Sequence, residues 1–305
     1  MAFDPKGQAI ARTAAAFLVE KRSANLSPNT IAFYTKRLNS FAAFAAEHGV
    51  TTVGAIDADL IRRWLLSLEE AGHNPGGVAG FYRVLKTFLR WLEREYDFTD
   101  WRNPITKVKA PKLDIRPLEP VSLETVTALL ETCKPRGDML ADRDRAILLF
   151  LLDTGARIGE FLALNVQDVD LVTGAVRIAR GKGGRPRAVY LGERARRALR
   201  AWLRHVADDA GPLWRKRTGE RMKYESVRMM LMRRSKRAGV PEPSPHDFRR
   251  AFALESLRGG MDLLSLARLL GHADLQMVRR YVAQTDEDLK QQHSQHSPVD
   301  RARLT

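Results

Sequence analysis

The sequence predicts a mainly α-helical protein in two parts: an all-helical domain at residues 1–100, and a larger, mostly helical domain at 121–305 carrying one small β-hairpin. Three observations predict it. Apolar residues recur at helical spacing through most of both segments. A basic, proline-rich stretch at 101–120 separates them. One pair of short strand-like runs flanks a glycine-rich turn. A chain of 305 residues is long enough for two hydrophobic cores of ordinary size.

In chain order, Gln8 to Lys21 is apolar at helical spacing. Ser27-Pro28 opens a second helix, serine as cap and proline at the first helical position. That helix carries Ile31, Phe33, Tyr34, Leu38, Phe41 and Phe44 to about His48, where Gly49 stops it. Asp57 to Ala71 forms a third helix ended by Gly72, and Asn74-Pro75 starts a fourth with Phe81, Leu85, Phe88, Leu89 and Leu92 on its apolar face. The plain reading of these aromatics is core packing. From Trp101 to Pro120, Pro104, Pro111, Pro117 and Pro120 predict an extended linker, and Lys107, Lys109, Lys112 and Arg116 make it basic enough to follow a phosphate backbone. Ser122 caps the next helix, with Glu124 in its first turn. Ala175–Ala179 and Arg187–Leu191 read as two strands joined by Gly181-Lys182-Gly183-Gly184. The polar tail after Gln284 is expected to be mobile.

Lys and Arg number 51 against 36 Asp and Glu, a net charge of +15. An excess of that size points to a polyanionic partner, foremost nucleic acid, because neutralising phosphates releases condensed counterions. The single cysteine, Cys133, excludes an internal disulfide and fits a reducing compartment. No N-terminal stretch reads as a signal peptide, and the apolar run Ala146–Leu152 is far short of the ~18 residues a membrane span needs. A cytoplasmic protein without membrane attachment is the expectation.

The residues able to carry chemistry are scattered. Arg157 lies in Thr154-Gly155-Ala156-Arg157-Ile158-Gly159-Glu160, and taken alone it reads as a solvated arginine at a helix start. Lys182 sits at the hairpin tip, where glycines allow close approach to a substrate; alone, it is an ordinary charged turn. His246 and Arg249 are three apart in His-Asp-Phe-Arg, so on a helix they share a face. Gly271-His272 closes the apolar run Leu263–Leu270, and Tyr281 follows nine residues after His272. His293 and His296 in the tail lack a cysteine or carboxylate cluster, so no metal site is expected.

In this order the arginine, hairpin lysine, His-x-x-Arg, Gly-His and tyrosine resemble the tyrosine recombinase (phage integrase) family, Xer-like members included, over nearly the whole chain. Ala156, Gly159, Phe248, Arg250 and Ala273 depart from the residues most usual in the family, and none of these changes removes a catalytic group. The resemblance implies a SAM-like core-binding domain followed by a catalytic domain of the DNA breaking-rejoining fold. It implies Tyr281 as nucleophile, forming a 3′-phosphotyrosine and freeing a 5′-hydroxyl. Arg157 and Arg249 would clamp phosphate oxygens, Lys182 would protonate the leaving oxygen, His246 would accept the tyrosine proton and His272 would donate a hydrogen bond to the phosphate. Such roles suit these residue types: arginine forks match phosphate geometry and stay charged, and phosphoryl transfer depends on positioning and charge compensation. Glu160, three residues after Arg157, would orient it from behind.

No cofactor, neither metal nor ATP, is expected. The implied partner is double-stranded DNA, bound by a monomer that becomes a homotetramer across two sites, with an accessory or partner recombinase as a further possibility. Arg194 and Arg197 on one predicted helix, Arg228 and Arg233 on another, and Lys107 and Lys109 in the linker are candidate DNA contacts. Arg196, Arg200, Arg204, Arg234, Lys236 and Arg237 share those charge runs, which equally read as solvated faces. Two other functions stay open: relaxation of DNA in the manner of a type IB topoisomerase, and a DNA-binding accessory protein without catalysis. Among recombinases, chromosome-dimer resolution, plasmid resolution and integration of a mobile element share this pattern.

Overall fold

The computed structural model describes residues 7–96, 101–112, 119–179, 186–206 and 210–271, with 290, 293–294 and 297–299 in the tail. The chain divides into two compact units, Met1–Arg116 and Pro117–Thr305.

The first unit is built of α1 (Ile10–Ser23), α2 (Pro28–Glu47), α3 (Ala58–Glu70) and α4 (Pro75–Glu95). Three of the four starts are fixed by local chemistry. The side chains of Ser27, Asp57 and Asn74 accept the backbone N–H groups of Thr30, Leu60 and Gly77, satisfying donors that a helix start leaves orphaned. The helices enclose an aromatic core in which Phe17, Phe41, Trp64 and Phe88 are essentially inaccessible. Phe33 departs from expectation. It is 41% exposed, and the Arg37 guanidinium lies 3.4 Å above its ring, a cation–π contact in place of core packing.

The expected linker is not extended through its first part. Pro104–Lys107 forms a 3₁₀ turn with Ile105 and Val108 buried in the helical core. The Tyr82 hydroxyl donates to Val108 O at 3.0 Å, and Arg62 donates to Lys107 O at 3.0 Å. Proline at the first position of such a turn is no obstacle, because its missing N–H has no role there.

The second unit contains α5 (Leu123–Glu131), α6 (Met139–Thr154), α7 (Ile158–Ala163), β1 (Ala175–Ile178), β2 (Arg187–Tyr190), α8 (Glu193–Leu203), α9 (Tyr224–Ala238), α10 (Pro245–Arg258) and α11 (Leu263–Leu270). The strands pair antiparallel with Val176 opposite Val189, within a residue of the predicted hairpin. Helix α6 runs through the centre, packed against α8 and α10. Phe150, Phe161 and Trp214 interlock beside it, Phe161 stacked on Trp214 at 4.6 Å between centroids. Buried charge also enters this core. Asp144 accepts Nη2 and Nε of two guanidinium groups, one on each oxygen: Arg143 at 2.8 and 3.1 Å and Arg234 at 2.7 and 2.9 Å. Among the described residues no helix is long and apolar enough to cross a membrane.

Candidate active site

The end of α11 is the structural centre of the site. Gly271 caps that helix in the left-handed conformation (φ +64°), leaving the last carbonyls without intrahelical partners at the negative end of the helix dipole. Three arginines from three other elements take them up. Arg187, on β2, donates from Nε to Leu269 O at 2.7 Å. Arg249, on α10, donates from Nη2 to Leu270 O at 2.8 Å. Arg157, at the start of α7, donates from Nη2 to Gly271 O at 3.2 Å.

Arg249 also donates from Nη1 to Gly155 O at 2.6 Å, so one guanidinium joins the C-terminal ends of α6 and α11. A side chain at residue 155 is barred twice: its φ is +56°, and a Cβ would lie 2.4 Å from the Phe252 ring. The turn therefore brings a bare carbonyl onto Arg249 and, two residues later, sets Arg157 at the next helix start. The two arginines differ in access. Arg249 is 2% exposed, whereas the Arg157 side chain is 44% exposed.

Glu160 binds both Arg157 and Arg187. Its Oε2 accepts the Arg157 backbone N–H at 3.0 Å, and its Oε1 accepts Arg157 Nη1 at 3.1 Å. The Arg187 fork holds the same two oxygens at 2.9 and 2.8 Å. Burial would raise the pKa of this carboxyl, but the hydrogen bonds and charges of Arg187 and Arg157 outweigh it and hold it at about 2. His246, at the start of α10, stays open to solvent, yet its pKa is pushed below the usual histidine value. Desolvation by the atoms packed around it is the largest cause, followed by the charges of Arg250 and Arg249. Asp247, which pairs with Arg250, pulls the other way.

The structure thus brings Arg157, Glu160, His246 and Arg249 into one charged cluster, together with Arg187, which sequence reasoning treated only as the first residue of a strand. No local feature of the sequence marks Arg187, because its partners Glu160 and Leu269 lie 27 and 82 positions away. Lys182, His272 and Tyr281 lie outside the described residues. Of the candidate DNA contacts, Lys107, Lys109, Arg194, Arg197, Arg228 and Arg233 are all exposed, Arg197 paired with Glu193 within α8. Their neighbours in the charge runs are partly structural. Arg196 and Arg200 donate to Val172 O and Leu171 O, and Arg234 is the buried partner of Asp144.

The structure thus joins a helical unit to a mainly helical unit with one hairpin, and the second unit carries an arginine cluster at the end of a helix. Residues 121–288 match the phage integrase family and residues 17–96 match the phage integrase N-terminal SAM-like domain, so the chain belongs to the phage integrase family of tyrosine-type site-specific recombinases. It is 35% identical to the tyrosine recombinase XerC of Pelobacter propionicus over 84% of this chain and 85% of that one. It is 32% identical to the XerC of Azotobacter vinelandii over 91% and 93%. The fold is shared with the Tn1549 transposon integrase, solved in complex with a circular intermediate DNA. The TM-score is 0.78 at 17% identity, over 95% of this chain and 100% of that one.

Proposed function

We propose that this recombinase binds double-stranded DNA and exchanges strands through a covalent bond between Tyr281 and a 3′ phosphate. In the first step the bond from the tyrosine oxygen to phosphorus forms as the bond from phosphorus to the 5′ oxygen breaks. His246 accepts the tyrosine proton, for which its lowered pKa keeps the ring neutral near pH 7. Lys182 supplies the proton that the departing 5′ oxygen needs. Arg157, Arg249 and His272 compensate the charge on the non-bridging oxygens, Glu160 orients Arg157, and the phosphotyrosyl bond conserves the energy for rejoining, so neither ATP nor a metal ion takes part. Lys107, Lys109, Arg194, Arg197, Arg228 and Arg233 meet the DNA backbone. Four protomers act on two sites, alone or with a partner recombinase.

The observation that supports this reading is the convergence of Arg157 and Arg249 on the end of α11, at the two residues preceding His272, with His246 close enough to feel both charges. Arg157 and Gly271 are 114 positions apart and Arg249 and Gly155 are 94 apart, yet they are hydrogen-bonded. A cation cluster of that kind around one carboxylate leaves a surplus of positive charge, which is what a phosphodiester in transfer requires. Covalent trapping on nicked duplex DNA tests it. Wild type should leave protein attached to a 3′ end at a preferred inverted-repeat sequence, and Tyr281→Phe should bind the same DNA and leave none. Adduct formation by Tyr281→Phe at the wild-type level would defeat the assignment.

A further inference from the structure

We propose that Arg187 is a positioning residue for this reaction: its guanidinium fastens strand β2, the Glu160–Arg157 pair and the end of α11 into one arrangement. The inference rests on the reading of the site given above and adds to it a residue with no role in the chemistry itself.

Every nitrogen of Arg187 is committed. Nε holds Leu269 O at 2.7 Å, while Nη1 and Nη2 hold the two oxygens of Glu160 at 2.9 and 2.8 Å. The side chain is 12% exposed, so these bonds are largely shielded from water. Its third neighbour is Gly271, where an added Cβ would stand 2.9–3.0 Å from the guanidinium atoms. The glycine therefore serves both the left-handed cap and the close approach of this side chain. In sequence, β2 begins five residues after Lys182, Glu160 is three residues from Arg157, and Gly271 immediately precedes His272. A single planar group thus ties together the start of β2, Glu160 on α7 and the end of α11.

There is an electrostatic consequence as well. Glu160 is bonded to both Arg157 and Arg187. With the Arg187 fork in place, the carboxylate charge is divided between two guanidinium groups and Arg157 keeps net positive charge for a phosphate. Without it, the same carboxylate would fall on Arg157 alone. A lysine at 187 would keep the charge and lose the fork, which three separate bonds at fixed angles require.

The test is single-turnover cleavage of nicked duplex DNA at saturating protein, with affinity measured separately, for Arg187→Gln, Arg187→Lys, Glu160→Gln and the double variant Glu160→Gln/Arg187→Gln. Arg187→Gln should bind DNA within about twofold of wild type and cleave roughly 100-fold more slowly, the scale of loss when reacting groups are displaced by about an ångström. Arg187→Lys, which preserves charge and bulk if the glutamine variant folds poorly, should stay slow. The double variant should be no slower than the slower single variant, because the two side chains act through one contact. Wild-type rates in Arg187→Lys, additive losses in the double variant, or a cleavage defect that only tracks lost affinity would each overturn the proposal. Absence of any adduct from wild type would instead defeat the reading on which it rests.

Discussion

The two units solve the problem of a stable interior differently. Among the described residues the N-terminal unit buries two polar side chains, Thr13 and Asn103, inside a core of aromatic and aliphatic groups. Among its own described residues the C-terminal unit buries eight, of which Asp142, Arg143, Asp144, Arg234 and Arg249 are charged. Apolar burial is non-directional and tolerates exchange among residues of similar volume. Buried ions are directional, and removing one partner leaves the other desolvated and uncompensated. The helical unit is thus held by quantity of burial, and the unit bearing the site is held by particular pairings, the same device that fixes its arginines.

The largest expected effect probes that contrast directly. Asp144→Asn removes the charge that Arg143 and Arg234 share and sets an amide donor against one of the two forks. The C-terminal unit should lose about 3–5 kcal/mol, the usual cost of orphaning a buried ion. Hydrogen exchange would read this as faster opening of α6 and α9, with α2 and α4 protected as before. Replacing all three residues by apolar groups of similar volume should recover most of the loss, since such exchanges are often neutral. A cost below about 1 kcal/mol for the single change would remove the basis of the comparison.

A smaller effect is expected from pH, and it sharpens the same point within the site. The Glu160 pKa is held at about 2 against an ordinary 4.5. A depressed carboxyl contributes its stabilisation fully above the unfolded value and loses it as pH falls from about 4.5 toward 2. At about 1.4 kcal/mol per pKa unit the contribution is on the order of 3 kcal/mol. Glu160→Gln should therefore lower stability by about that amount above pH 5 and flatten the acid limb, the variant and wild type converging as pH falls toward 2. An acid limb as steep in the variant as in wild type would show that other carboxyls carry it.

How much of this was legible in the sequence depended on the range of the interaction. Caps at Ser27, Asp57, Asn74 and Ser122 are three-residue events, and each stands where the sequence placed it. The apolar run ending at Gly271 and the ends of the hairpin were equally local. The turn at Pro104–Lys107 was read as linker because prolines dominate locally, whereas Ile105 and Val108 fold back onto helices that begin far earlier. Arg234 read as surface charge because its partner Asp144 is 90 positions away. Arg187 carried no signal for a like reason, with Glu160 27 positions back and Leu269 82 ahead. Arg157, Glu160, His246 and Arg249 were found only because their order along the chain matched a family pattern; their meeting point is a tertiary fact.

The smallest effect separates apolar packing from pairing. Ile61 and Ile147 are each fully buried, one in each core. Ile→Val at either position removes one methylene and should cost about 0.5–1.5 kcal/mol. If the units differ in their ions and not in the quality of their apolar packing, the two costs should agree within about 0.5 kcal/mol, measured by denaturant unfolding of each variant. Cleavage at saturating DNA should remain at the wild-type rate in both. A cost at Ile147 several times that at Ile61 would show that the charged unit is also the more tightly packed one, and the rigidity of its site would then owe as much to volume filling around α6 as to the arginines gathered at the end of α11.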